Sequence, residues 1–251
     1  MSRNWVRGLL LSVAMLGGSV AVADPITPPP TPADYAALGK LPDWSGIWQP
    51  EWGTLFASRA ASKPVLQPEA AKVLAQFDAD KAKGENLQTD AANCVPPGMP
   101  QIMRMPYPIE FIYSPGRVTI AIETDSQVRR IYTDGRPLPT DPDPTFNGSS
   151  IGHWEGDSLI VDTNGLNPRN SIVEGVHPTD KTRIHEVIRL GKPDHMEIET
   201  TITDPTVFKQ PLVLRTSYVR KRDWQIREYV CQENNRDAAD PFGRPSLDIS
   251  K

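Results

Sequence analysis

Two glutamates in the second half of the chain share strand faces with aliphatic side chains, which is an uncommon environment for a carboxylate. Alternation places Glu186 on one face with Ile184 and Ile188, and it places Glu228 on one face with Ile226. A carboxylate turned into an apolar barrel must be paired, solvated in a cavity or kept protonated. The pattern therefore predicts either general acid–base chemistry or a buried ion pair that fixes strand register.

A cation and a further carboxylate lie on neighbouring strand patterns. Val128, Arg130 and Tyr132 share one strand face, and Asp162 shares a face with Ile160 in a strand apolar enough to be buried on both sides. If Arg130 lies beside a buried glutamate, it either orients an oxygen of a ligand or neutralises that glutamate.

Two of the four histidines are candidates for proton transfer. We expect His153, beside Trp154, and His177, in a loop, to lie near a barrel mouth, whereas His185 and His195 fall on polar strand faces and are expected at the surface. The predicted catalytic residues are Glu186, Glu228, Asp162, His153 and His177, and the predicted substrate-binding residues are Arg130, Tyr132, Arg129 and Trp154.

The sequence contains none of the common cofactor or nucleophile motifs. It has no Gly-x-Ser-x-Gly elbow, phosphate-binding loop or dinucleotide fingerprint. No histidine pair has zinc-finger or His-Glu-x-x-His spacing, so a metal site would have to be assembled from distant strands. We therefore predict neither a cofactor nor a metal.

Strand-like segments separated by turn residues fill the chain beyond Glu110. Short links make neighbouring strands antiparallel, so the pattern predicts a mainly β meander of eight or nine strands that closes into a lipocalin-like barrel. A two-sheet sandwich is the alternative. The predicted strands are Phe111–Tyr113, Val118–Glu123, Val128–Tyr132, Ile151–Trp154, Ser158–Thr163, Arg183–Leu190, Met196–Thr203, Leu212–Val219 and Trp224–Cys231.

Three features precede these strands. Trp44 and Trp48 flank a glycine and indicate an entry strand with an indole at one end of the barrel. Residues 68–83 predict one amphipathic helix, with a proline at its start and Gly84 at its end. The proline- and methionine-rich segment Cys94–Pro108 is either a lid over a pocket or a buried connection wedged against the sheet.

The first 23 residues have the pattern of a secretory signal peptide. Arg3 and Arg7 precede a short apolar run, which ends in Ala21-Val-Ala23 before Asp24. Removing this segment leaves 228 of 251 residues, with 25 basic against 31 acidic side chains and a net charge of about −6. We expect a periplasmic or secreted protein with a proline-rich extended arm over residues 24–43 and one barrel domain over residues 44–251.

The negative charge and the apolar profile restrict the partners. An acidic chain is a poor partner for nucleic acid, and no segment after the signal is apolar enough to span a membrane. We predict a small-molecule ligand or substrate as the partner. Because export favours oxidation, the two cysteines, Cys94 and Cys231, are expected to form a disulfide.

Several long motifs resemble a family of exported bacterial proteins marked by a Trp-Glu-Gly-Asp-Ser/Thr-Leu-Ile/Val-Val-Asp-Thr hairpin. The resemblance covers nearly all of the chain after the signal and implies export and a single domain. Members tend to carry histidine where this chain has Ser149, and His-Ser-Asp where it has His177-Pro-Thr-Asp180. The motifs are Cys94-Val-Pro-Pro-Gly-Met-Pro, Met105-Pro-Tyr-Pro108, Arg129-Arg-Ile-Tyr-Thr-Asp-Gly-Arg136, Gly152 to Thr163, Asp204-Pro205 and Glu228-Tyr-Val-Cys-Gln-Glu-Asn234.

Two functions of different classes fit these residues. The first is a cofactor-independent lyase, isomerase or hydrolase that uses carboxylates and histidine on a small, partly apolar compound inside the barrel. The second is a non-catalytic carrier whose polar groups only orient a small hydrophobic ligand. The concentration of ionisable groups favours the enzyme, whereas a barrel filled by side chains would favour a structural protein without a ligand.

Overall fold

The computed structural model describes residues 29–61, 63–85, 90 and 93–231, and residues 59–61 are described by their backbone alone. The predicted signal peptide lies outside the described residues. None of the described helices is long and apolar enough to cross a membrane.

Nine strands form a closed barrel, in which the last strand pairs with the first. The predicted mainly β, lipocalin-like fold is confirmed, and it closes because both edges of every strand find a partner. The strands are β1 (Ile47–Pro50), β2 (Ile109–Ser114), β3 (Arg117–Ile122), β4 (Gln127–Tyr132), β5 (Ser149–Glu155), β6 (Ser158–Asn164), β7 (Arg183–Lys192), β8 (His195–Thr203) and β9 (Leu212–Lys221).

One strand pair departs from the predicted antiparallel meander. β4 and β5 are parallel and pair only at Ile131 with Ser150 and at Tyr132 with Ile151. Residues 133–148, which we call the crossover loop, connect them. A parallel pair requires such a return connection, whereas the remaining neighbours are antiparallel.

The last predicted strand, Trp224–Cys231, is wrong. Residues 224–230 have no regular secondary structure in the described chain. The physical reason is the closure itself: β9 pairs with β8 on one side and with β1 on the other, so it offers no edge to a further strand. This segment instead leads to the predicted disulfide between Cys94 and Cys231, which is confirmed with a Cα–Cα distance of 5.5 Å.

Three α-helices precede β2 in the described part of the chain: α1 (Pro32–Ala37), α2 (Trp52–Ala61) and α3 (Pro68–Ala82). The helix predicted over residues 68–83 is α3. The predicted arm is helical over α1, because the Thr31 side chain accepts a hydrogen bond from the Asp34 backbone while the Asp34 carboxylate accepts one from Thr31. Helix α2, which packs against β9, was not predicted from the sequence.

Inward side chains form one continuous hydrophobic core that runs through the barrel. Trp48 is fully buried within it, and Trp44 packs against Phe111 and Trp154 at ring-centroid distances of 5.2 and 4.9 Å. Met103 is buried as well, and its carbonyl accepts a hydrogen bond of 2.6 Å from the Tyr218 hydroxyl. The Cys94–Pro108 segment is therefore a buried connection rather than a lid.

Candidate functional site

The only charged pair that the described barrel encloses completely joins β4 to β7. Glu186 points inward as predicted, and its carboxylate accepts two hydrogen bonds from the guanidinium of Arg129. Both side chains are at most 1% exposed. Arg129 also donates to the hydroxyls of Ser150 and Thr163, at 3.3 and 3.1 Å. Of the two predicted possibilities for Glu186, the geometry is that of a buried ion pair that fixes strand register.

The partner of Glu186 is Arg129 and not Arg130. The side chains of Arg129 and Ile131 are buried, whereas Val128 is 39% exposed and Arg130 is exposed on the outer face. The prediction that grouped Arg130 with Tyr132 on one face is right, but that face is the outside of the barrel. Both faces of β4 carry an arginine beside an apolar residue, so the one-residue choice of phase had no clear signal in the sequence.

The buried pair also affects its neighbourhood. Burial raises the pKa of the Tyr218 hydroxyl, and the negative charge of Glu186 raises it further. Tyr218 therefore stays protonated and donates its hydrogen bond to Met103. Apolar side chains surround this pair, and the Nε atom of Arg129 is buried without a hydrogen-bond partner among the described residues.

The other predicted catalytic residues do not join Glu186. Glu228 is exposed beyond β9, because the strand predicted to turn it inward does not form. Asp162 lies on the outer face of β6, half exposed, where its Oδ1 is 2.8 Å from Nδ1 of His185. The predicted interior set of carboxylates is therefore not assembled.

The two predicted histidines have exposed side chains. His153 is exposed on β5, with Nε2 2.9 Å from Oε1 of Glu155. His177 is exposed in its loop, and its Nδ1 is 2.8 Å from the carbonyl oxygen of Asn170. His185 is exposed as expected, but His195 is only 28% exposed.

Trp154 lies in an aromatic cluster at one end of the barrel, where it packs against Trp44 and Tyr113. It is partly buried against the hydrophobic core, and it also lines a small open pocket of about 230 Å³. Within the part of the chain that the structure describes, no three His, Cys, Asp or Glu side chains are arranged to hold a metal ion.

A large open cavity lies outside the barrel, between the outer face of β4 and the crossover loop. This crossover groove has a volume of about 1120 Å³. Arg130 and Tyr132, two of the predicted substrate-binding residues, line it together with Val128. It exists because β4 and β5 pair over only two positions, so the crossover loop stands beside the rest of β4.

Charges in the crossover groove are partly compensated. Arg136 binds the carboxylate of Asp134 through its Nε and Nη2 atoms, with contacts of 2.6 to 3.0 Å. These hydrogen bonds from Arg136 lower the pKa of Asp134, so the carboxylate stays ionised at neutral pH. The guanidinium of Arg136 also stacks on Tyr132, 3.9 Å from the ring centre. Arg130 forms no ion pair with any described residue.

Polar residues at the start of β5 and just before it also line the groove. The Asn147 amide donates to the backbone oxygen of Val128 at 3.3 Å and so ties the crossover loop to β4. Ser149 lines the groove, and it is also the position at which the family resemblance expects histidine. Residues 133–148 have neither strand nor helix periodicity, so no regular element was predicted there.

The fold and the groove together define a closed nine-stranded β-barrel with a cationic cleft on its outer wall. A comparison of the chain with known protein families and with curated proteins finds no match.

Proposed function

We propose that this protein is a binding protein for a small organic anion with an apolar body, and that the crossover groove is the binding site. The observation that carries the proposal is the guanidinium of Arg130, which lines a groove of about 1120 Å³ without a carboxylate partner among the described residues. A guanidinium binds a carboxylate through two parallel hydrogen bonds, which makes an organic acid the natural occupant.

The composition of the groove supports this ligand class. Arg130 and Arg136 face it with Asp134 as the one acidic lining residue, although the chain as a whole has a net charge of −4. Tyr132 and Val128 add apolar surface beside the cations. Ligand sites typically combine apolar walls with a few oriented polar groups in roughly 300 to 1,000 Å³.

Binding is favoured over turnover because the acidic groups near the site are already committed. Asp134 is held by Arg136, and the interior Glu186 is held by Arg129. A general base must be free to take a proton from the ligand. The predicted enzyme therefore lacks a free acid–base pair in the groove, whereas a carrier needs only the cation and the apolar wall.

The same proposal includes export to an oxidising compartment, in agreement with the resemblance to exported bacterial proteins. The apolar N-terminal sequence has the pattern of a signal peptide, and the Cys94–Cys231 disulfide is of a kind that persists outside the cytosol.

Native mass spectrometry of the protein purified from the periplasm, followed by denaturation, tests the proposal. We expect an organic acid to be released on denaturation, and we expect the R130M variant to bind it roughly 10 to 100 times more weakly, because a hydrogen bond to a charged group contributes about 1.5–3 kcal/mol. R227M is the matched control, since Arg227 is also exposed but lies outside the groove.

Two results would overturn the proposal. One is a protein that arrives empty and binds no member of a panel of aliphatic and aromatic carboxylates at millimolar concentration, which would favour a structural role. The other is equal affinity of wild type and R130M for the released compound.

A further inference from the structure

A second cavity, of about 490 Å³, lies between the start of α2 and the outer faces of β7, β8 and β9. We call it the α2 cleft. It shares no lining residue with the crossover groove. Its lining residues carry both signs of charge and include the apolar side chain of Val187.

Four of the charged side chains in the α2 cleft neutralise one another. Arg189 pairs with Glu197 at 2.9 Å, and Arg215 pairs with Glu199 at 2.7 Å. Each pair joins residues directly opposite in the strand register, so both pairs are part of the sheet surface. They leave little net charge for a ligand.

Glu51 is different, because neutral groups and not cations hold its carboxylate. It accepts a hydrogen bond of 2.6 Å from the Ser217 hydroxyl and a longer one of 3.5 Å from Thr54. The nearest nitrogen that can carry charge is Nδ1 of His195, at 3.9 Å. The backbone N–H of Glu51 also donates to the Ser217 carbonyl, so the residue is fixed in place with its negative charge uncompensated by lysine or arginine.

Lys192 supplies the opposite charge at another point of the same cleft. It stands at the end of β7, directly opposite His195 in the register. Its ammonium makes no ion pair within the described residues. Within the described residues, a carboxylate without a lysine or arginine partner and an ammonium without an ion pair thus line the same cavity as His195.

We propose that the α2 cleft binds a zwitterion of the short-peptide class, with the ligand's ammonium on Glu51 and its carboxylate on Lys192. The apolar part of the ligand lies against Val187. This site is separate from the organic-anion site and goes beyond the proposed function. A charge of one sign on the ligand satisfies only half of the cleft, so a simple amine or a simple acid binds more weakly than the zwitterion.

The test is a titration of isotope-labelled full-length protein with glycyl-leucine, followed by amide NMR. We expect saturable shifts at residues of the cleft. Acetylating the ligand's amine, or amidating its carboxylate, should weaken binding by about tenfold or more in each case. Because these ligands are compared on unchanged protein, the result does not depend on the folding of a variant.

Protein variants assign the two ends. We expect E51Q to lose the preference for the free amine while retaining the preference for the free carboxylate, and K192M to do the reverse. K209M is the matched control, because Lys209 is exposed and lies outside the cleft. No shifts in the cleft at millimolar peptide, or equal binding of the free and capped ligands, would overturn the proposal.

Discussion

Removing one partner of the Arg129–Glu186 pair should destabilise the protein far more than removing both. The perturbations are R129M, E186L and the double variant. The guanidinium and the carboxylate are each at most 1% exposed, and two hydrogen bonds join them. A buried charge left without its partner costs about 3–5 kcal/mol, so each single variant should lose that much free energy of unfolding.

The double variant should recover most of this loss. Its new side chains are apolar, and replacing a buried pair by apolar groups ranges from neutral to stabilising by roughly 1–4 kcal/mol. The two hydroxyls that Arg129 contacts keep a partner, because Ser150 and Thr163 lie 2.8 Å apart and hydrogen-bond to each other. The coupling energy between the two substitutions should therefore be about 3 kcal/mol or more.

Urea unfolding followed by tryptophan fluorescence measures these differences, since Trp44 and Trp48 are buried in the core. R130M is the control, because Arg130 is the next residue on the same strand but points outward; we expect a change within about 0.5 kcal/mol. If each single variant costs less than about 1 kcal/mol, or if the two effects add, the reasoning is refuted and the interior is hydrated rather than sealed.

Other predictions concern the chain connections and the acid limit of stability. G98A should destabilise the protein far more than G156A. Both glycines have a φ near +60°, but only the Cβ added at position 98 would meet other atoms, the nearest at 2.4 Å. Thermal unfolding compares the two variants, and equal losses of stability would contradict this reason. The Cys94–Cys231 disulfide closes a separation of 137 residues, so its reduction should lower the free energy of unfolding by up to about 5 kcal/mol in the chain-entropy model. Urea unfolding with and without reductant measures the difference, and an unchanged midpoint would contradict the prediction. Hydrogen bonds from the side chain and backbone of Ser45, and then from Arg220, lower the pKa of Asp43 from 3.8 to about 2, so its stabilisation is complete above pH 3.8 and is lost as the pH falls towards 2. D43N should flatten that part of a melting-temperature profile, and parallel wild-type and variant profiles would exclude the assignment.

Strand positions could be predicted well where the environment of a strand differs between its faces. In β7 the alternation of Ile184, Glu186 and Ile188 against exposed neighbours fixed the phase, and Glu186 is indeed inside. In β4 each face carries an arginine, so the same method chose the wrong cation. The residues of the candidate groove were the hardest to predict. The crossover loop has no periodicity, and the groove arises because β4 and β5 pair at only two positions.

The sequence by itself determined the elements that depend on local chemistry. Proline at the start and glycine at the end bounded α3, and turn residues separated most of the strands. The two cysteines, in a chain whose N-terminal sequence has the pattern of an export signal, predicted the disulfide.

Only the tertiary structure decided which charges meet. Closure of β9 on β1 left residues 224–230 without a strand edge and Glu228 outside, and the parallel β4–β5 pair placed Arg130 in an outer groove. These outcomes depend on contacts between residues far apart in the chain. The local sequence shows which side chains alternate along a strand. The register and closure of the whole barrel decide which residue each side chain contacts.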